Sequence, residues 1–160
     1  MKIGWEHKMS FSDNLKEWLR NNEYDINDLN KQGKHGNSAV MKAAREGNIE
    51  IVKALIGNGV NLDLKNVDGN SALWNACFAS SYDCFYALID AQIDVNSKND
   101  NAVTALMYCA SAGKEDFVKL LLENGADVSL ENLDGFKAID LAVTPKIYKM
   151  LKSATVPTKN

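Results

Sequence analysis

NDNAVTALMYCASAGKEDFVKLLLENGADVSLE, residues 99–131, reads as two short helices joined by a tight turn. Thr104 stands where an N-cap belongs, because its hydroxyl can accept a free N–H of the first turn. Leu106, Cys109 and Ala110 then share one face at helical spacing. Gly113 turns the chain. Phe117, Val118, Leu121 and Leu122 form the stripe of a second helix, and Gly125 sits just past its end, where positive φ is expected. The rest of the chain looks like versions of this stretch. Displaced by 33 residues, Gly36, Gly69, Ala102 and Gly135 fall in register. So do Val40, Leu73, Leu106 and Ile139, and so do Ala43, Ala76, Cys109 and Ala142. A fixed period of this size is the mark of a repeat array.

The register divides the chain. Residues 33–65 form a first full unit, with Ser38 as N-cap and Val40, Ala43 and Ala44 on the packed side. Residues 66–98 form a second, capped by Ser71, with Leu73, Ala76 and Cys77 facing inward. There Ser80 replaces the turn glycine and Gln92 the closing glycine, so backbone strain is expected at both. Residues 99–131 are the third and most regular unit, with a Glu115–Lys119 pair expected on its outer face. The tetrad Tyr24-Asp25-Ile26-Asn27 matches Val60-Asn61-Leu62-Asp63, Ile93-Asp94-Val95-Asn96 and Ala126-Asp127-Val128-Ser129. Residues 1–32 are therefore an N-terminal capping repeat whose first helix is eroded and whose second, capped by Ser10 or Ser12, carries Leu15, Trp18 and Leu19 on one stripe. Residues 132–152 are a shortened closing repeat, with Lys137 at the cap position and Pro145 in its link. Residues 153–160 read as a polar tail. Arrays need such atypical ends, since a terminal unit has one face without a neighbour.

Composition narrows the function. A net charge of −3 over 160 residues steers weakly, which argues against nucleic acid as the main partner. Lys146, Lys149 and Lys152 follow the outside of the last helix and suit its C-terminal dipole better than a nucleic-acid or membrane patch. No apolar run reaches membrane-spanning length and the N-terminus has no signal-peptide core. If these termini are native, the protein stays where it is made. The three cysteines lack paired spacing and read as reduced, buried thiols of a cytoplasmic protein. Cys77 and Cys109 are candidate neighbours across a repeat interface.

Catalytic and metal patterns are weak. His7 and His35 lie in different segments and no further ligands accompany them. Residues 63–71, DLKNVDGNS, look superficially like a calcium loop, but Trp74 falls where a bidentate Glu is needed. The glycines occur once per turn and are not clustered as a phosphate loop. No cofactor and no enzymatic role are expected.

On a helical wheel, positions two and five after the Leu of each first helix lie opposite its packed side. These are Lys42 and Arg45, Asn75 and Phe78, and Tyr108 and Ser111. They are expected to line one surface, concave because the first helices are the shorter ones. Phe78 is the exception worth noting, an apolar side chain expected in the open. Trp74 is expected half in the core.

The pattern Gly-x-Ser/Thr-x-Leu-x-x-Ala-Ala-x-x-Gly, followed by Val-x-x-Leu-Leu-x-x-Gly-Ala-Asp-Val, resembles the ankyrin repeat, whose period is 33 and whose signature is T-P-L-H-x-A. The signature Pro is Ala39, Ala72, Ala105 and Ala138 here, and the His is Met41, Trp74, Met107 and Asp140. The family's Ser/Thr–His hydrogen bond cannot form. The resemblance implies an all-α helix-turn-helix solenoid that binds other proteins through its finger turns and the groove of its first helices. Carried over, the fingers include His35, Asp68, Asn101, Val103, Asp134 and Phe136, and the groove includes Arg45, Phe78 and Ser111. The expected function is a monomeric protein–protein interaction module. The alternative is an inhibitor or immunity-type protein that occludes a partner enzyme or toxin; nucleic-acid binding and catalysis are less favoured.

Overall fold

The structure is a computed structural model and describes residues 11–155. His7, the candidate cap Ser10 and residues 156–160 of the expected tail lie outside that range. Eight α-helices and two short 3-10 turns make up the described chain, with no strand. Helix α1 is Asp13–Asn21. Three pairs follow: α2 (Ala39–Arg45) with α3 (Ile49–Gly57), α4 (Ala72–Phe78) with α5 (Tyr82–Asp90), and α6 (Ala105–Ser111) with α7 (Glu115–Glu123). A 3-10 turn at Ala138–Leu141 and α8 (Pro145–Thr155) close the stack. The result is an all-α helix-turn-helix solenoid.

Each first helix starts on the residue expected. Ser38, Ser71 and Thr104 accept from the backbone N–H of Met41, Trp74 and Met107. Ser12 is the observed cap of α1. In place of the missing histidine bond, the sulfur of Met41 accepts from the N–H of Ser38 at 3.4 Å. First helices have seven residues and second helices nine, so the two faces of the stack differ in length. Ser80 and Gln92 adopt φ of 54° and 63°, the left-handed region that glycine fills elsewhere in the register. Ala102 does the same at 58°.

The core runs unbroken from Leu15 to Leu151 through Leu55, Leu73, Phe85, Leu106, Phe117 and Leu121, all essentially inaccessible. Stacking alone makes this possible, because one helix pair cannot cover its own apolar side. α2 packs on α4, and α4 on α6.

Two expectations at the closing end change. Lys119 pairs with Glu123 at 3.9 Å, not with Glu115. Glu115 instead meets Lys146 of α8 at 3.5 Å, so an ion pair links two units where a pair within one helix was expected. The shortened fourth copy forms only a 3-10 turn before α8. Lys137 offers no cap oxygen, although Asp140 accepts its backbone N–H at 2.9 Å. Thr144 then caps α8 ahead of Pro145, and that helix runs on to Thr155, into the stretch expected as tail. No helix among the described residues is long and apolar enough to cross a membrane.

At the opening end Tyr24 stacks on Trp18, ring centres 5.7 Å apart, and its hydroxyl donates to the carbonyls of Asn37 and Ser38. Burial, aided by the Glu46 charge, pushes its phenol up to about 12. The phenol is therefore held neutral in the fold, and the stability it contributes is complete below its ordinary value near 10. That contribution drains as pH rises from 10 through 12. Urea melts at pH 8 and pH 11 are expected to show the loss, and Tyr24→Phe is expected to reduce it. An equal pH dependence in Tyr24→Phe would assign the loss to other groups.

Candidate protein-interaction surface

The three seven-residue helices lie side by side and present their outer positions to one face. The sequence register brings Trp74, Phe78 and Tyr108 together there. Trp74 stacks on Phe78 with ring centres 5.6 Å apart and meets Tyr108 at a tilt, 4.6 Å away, and Phe78 and Tyr108 are 6.4 Å apart. Trp74 and Tyr108 are half-buried, whereas Phe78 is 43% exposed. The guanidinium of Arg45 lies 4.1 Å from the centre of the Phe78 ring, a cation over a π face. Burial and the adjacent thiols raise the Tyr108 phenol, which stays protonated at neutral pH.

A residue not singled out in the sequence supports this cluster. Lys114 stands where Asn48 and Ser81 cap the corresponding helices, but it makes no cap. Its ammonium reaches back one unit and donates to the carbonyls of Cys77 and Phe78 and to Ser80 Oγ, at 2.7, 3.0 and 2.6 Å. These are the end groups of α4, where free carbonyls and the helix dipole favour a cation. The strained turn at Ser80 and the end of the helix bearing Phe78 are thus tied to the next unit. The 33-residue register marks Lys114 as a departure from Asn48 and Ser81, which is the signal that could have found it.

Asn75 corrects an expectation. It was placed on the open surface, yet it is 1% exposed. Its side-chain amide donates to the carbonyl of Ser71, and its Oδ1 faces Arg45 at 3.5 Å. A central first helix is covered from both sides by α2 and α6, so its buried arc is wider than a wheel centred on Leu73 allows. Trp74 carries a further cost. Its indole N–H is buried and meets no acceptor among the described residues. An unsatisfied buried donor costs on the order of 1–3 kcal/mol. Lys42 is half-buried, and Arg45 and Ser111 are exposed.

The finger residues separate into tips and joints. His35, Asp68, Asn101, Asp134 and Phe136 are exposed, while Val103 is half-buried against the core. Successive fingers are joined by one backbone bond each: Val67 N–H to His35 O, Asp100 N–H to Asp68 O, and Leu133 N–H to Asn101 O. Beneath them runs a ladder of amides. Asn66 donates to Asn37 Oδ1 and Asn99 to Asn70 Oδ1, both at 3.1 Å. Asn66, Asn99 and Asn132 each also accept two N–H groups of their own finger. Val103 stands where the next rung would need an amide. Asn66, Asn99 and Asn132 recur at the repeat period, so this ladder was readable in the register. Phe136 makes no ring contact with the aromatic cluster.

All three cysteines are buried and reduced, and the Cys77 thiol, hydrogen-bonded to the Cys109 thiol and desolvated, is pushed far up and is a poor nucleophile. Among the described residues no group of three or more His, Cys, Asp or Glu is placed to hold a metal. A hollow of about 400 Å³ is lined by loop residues such as Asp63, Lys65, Asp94 and Lys98, and none of the three clustered rings borders it.

A family model described as ankyrin repeats (3 copies) matches residues 7–99 and 79–158. No curated protein matches the chain. Ankyrin repeats are generally protein–protein interaction modules. With the repeat period, the paired helices and this match covering most of its length, the chain belongs to the ankyrin repeat family.

Proposed function

We propose that the protein binds a partner protein through the groove of its first helices, with Trp74, Phe78 and Tyr108 as anchors. Lys42, Arg45, Ser111 and the finger residues His35, Asp68, Asn101 and Asp134 form the polar margin. The observation that carries this reading is the three-ring cluster itself, stacked, partly exposed and topped by a guanidinium. Aromatic and Arg side chains in such patches are the usual energetic centres of interfaces. The protein keeps Phe78 open and leaves a buried Trp74 donor unsatisfied, both of which disfavour the isolated fold. Val103 and Phe136 are lesser members, the first because it packs inward and the second because it stands apart from the rings. The reading is of a monomeric binding protein acting without a cofactor, and the buried thiols suit a reducing compartment such as the cytoplasm.

The test starts by identifying the partner by pull-down and mass spectrometry from cells. Phe78→Ala and Tyr108→Ala are then expected to weaken binding by more than about 1 kcal/mol in calorimetry, with little change in Tm for Phe78→Ala. Loss of Tm with unchanged affinity would move the binding face elsewhere. Suppression of an activity of that partner would make the protein an inhibitor; binding alone would make it an adaptor.

A further inference from the structure

The charges around the aromatic cluster are not evenly spread. Lys42 and Arg45 flank it on the side of the first unit, and the first finger adds exposed Lys34. Ion pairs among the described residues are Lys31–Asp25, Lys119–Glu123 and Lys146–Glu115, so no carboxylate neutralises Lys42, Arg45 or Lys114. Glu46 follows Arg45 directly in sequence but forms no ion pair with it. The later fingers carry Asp68, Asp100 and Asp134, all exposed. The face is therefore basic over the first unit, aromatic over the second and third, and acidic along the finger tips. Only the basic end is opposite in sign to the net charge of −3.

We propose that the groove's occupant is an acidic protein segment with a neighbouring large apolar side chain, lying in one direction. Its carboxylates sit over Lys42 and Arg45, and its apolar residue rests on Phe78 and Tyr108. The inference rests on the groove reading above and gives it a chemistry and a polarity. Arg45 is suited to the task. Its one polar contact is a long one to Asn75, so the N–H groups at its edge are free to take a carboxylate in the fork geometry while the flat face stays on Phe78.

The probe is a random peptide library displayed on phage, selected on the whole protein and counter-selected on Phe78→Ala. Enriched peptides are expected to depend on Phe78 and to carry Asp or Glu beside an aromatic or aliphatic residue. Arg45→Glu, an exposed change whose fold is checked by its melt, is expected to weaken them at least about tenfold, with Arg45→Lys falling between. Phe78-dependent peptides that are neutral or basic would overturn the acidic partner and leave the groove standing. Absence of any Phe78-dependent peptide would remove both. A mixed-sequence single-stranded oligonucleotide that displaces the peptides would replace the acidic segment by a nucleic acid.

Discussion

Phe85→Ala is expected to destabilise the array by about 3–5 kcal/mol. In a protein of this length such a loss lowers Tm by roughly 10 °C, read by thermal circular dichroism. Phe85 sits on the second helix of the central unit and is wholly inaccessible. Its ring meets Phe117 of the next unit edge-on, centres 5.7 Å apart at 80°, and Tyr86 at 5.8 Å in the same manner. α5 packs on α3 on one side, so removal of the ring weakens the unit that both halves of the stack lean on. Stability in an array is a sum of unit and interface terms, and a weakened middle uncouples the ends. The melt is therefore expected to broaden as well as shift. A loss below about 1 kcal/mol would show that the units around Phe85 repack freely, against the continuous core drawn here.

Gly69→Ala is the second large effect, about 2–4 kcal/mol, and it acts through the fingers. Gly69 has φ of +80°, and a Cβ placed there would come within 2.6 Å of the backbone nitrogen of Asp100. That nitrogen is the donor that ties the third finger to Asp68 O. The added methyl thus forces the joint open besides straining its own backbone. Ala102 provides the control, since it already holds an alanine at the same register position with φ of 58°. Ala102→Gly is expected to change stability by less than about 1 kcal/mol, because relief of strain and added freedom of the unfolded chain oppose each other. If Gly69→Ala melted like the native protein, the close approach of the second and third fingers would be wrong.

Much of this was legible because the period carries information from one unit to the next. The caps Ser38, Ser71 and Thr104 and the left-handed positions of Ser80 and Gln92 follow from register alone. The meeting of Phe78 and Tyr108 follows from the helical wheel, and Trp74 was expected half in the core beside them. What escaped depends on neighbours the wheel does not contain. Asn75 is buried because helices on both sides cover its flank and a long arginine lies over it. Lys114 and the Glu115–Lys146 pair depend on extended side chains crossing between units, and their reach leaves no local pattern. Lys119 chose Glu123 over Glu115 for the same reason, since Glu115 was already engaged from α8.

The finger joints give the protein a mechanical character. Along one edge the units are held by packed helices, and along the other by one backbone bond per step, with an amide rung beneath the first two. Such a stack bends as a leaf spring does, stiff on one side and compliant on the other. A load that draws the fingers together is spread over three joints, so no single bond carries it alone. The amide ladder sets the resting curvature, and its missing rung at Val103 makes the last joint the softest.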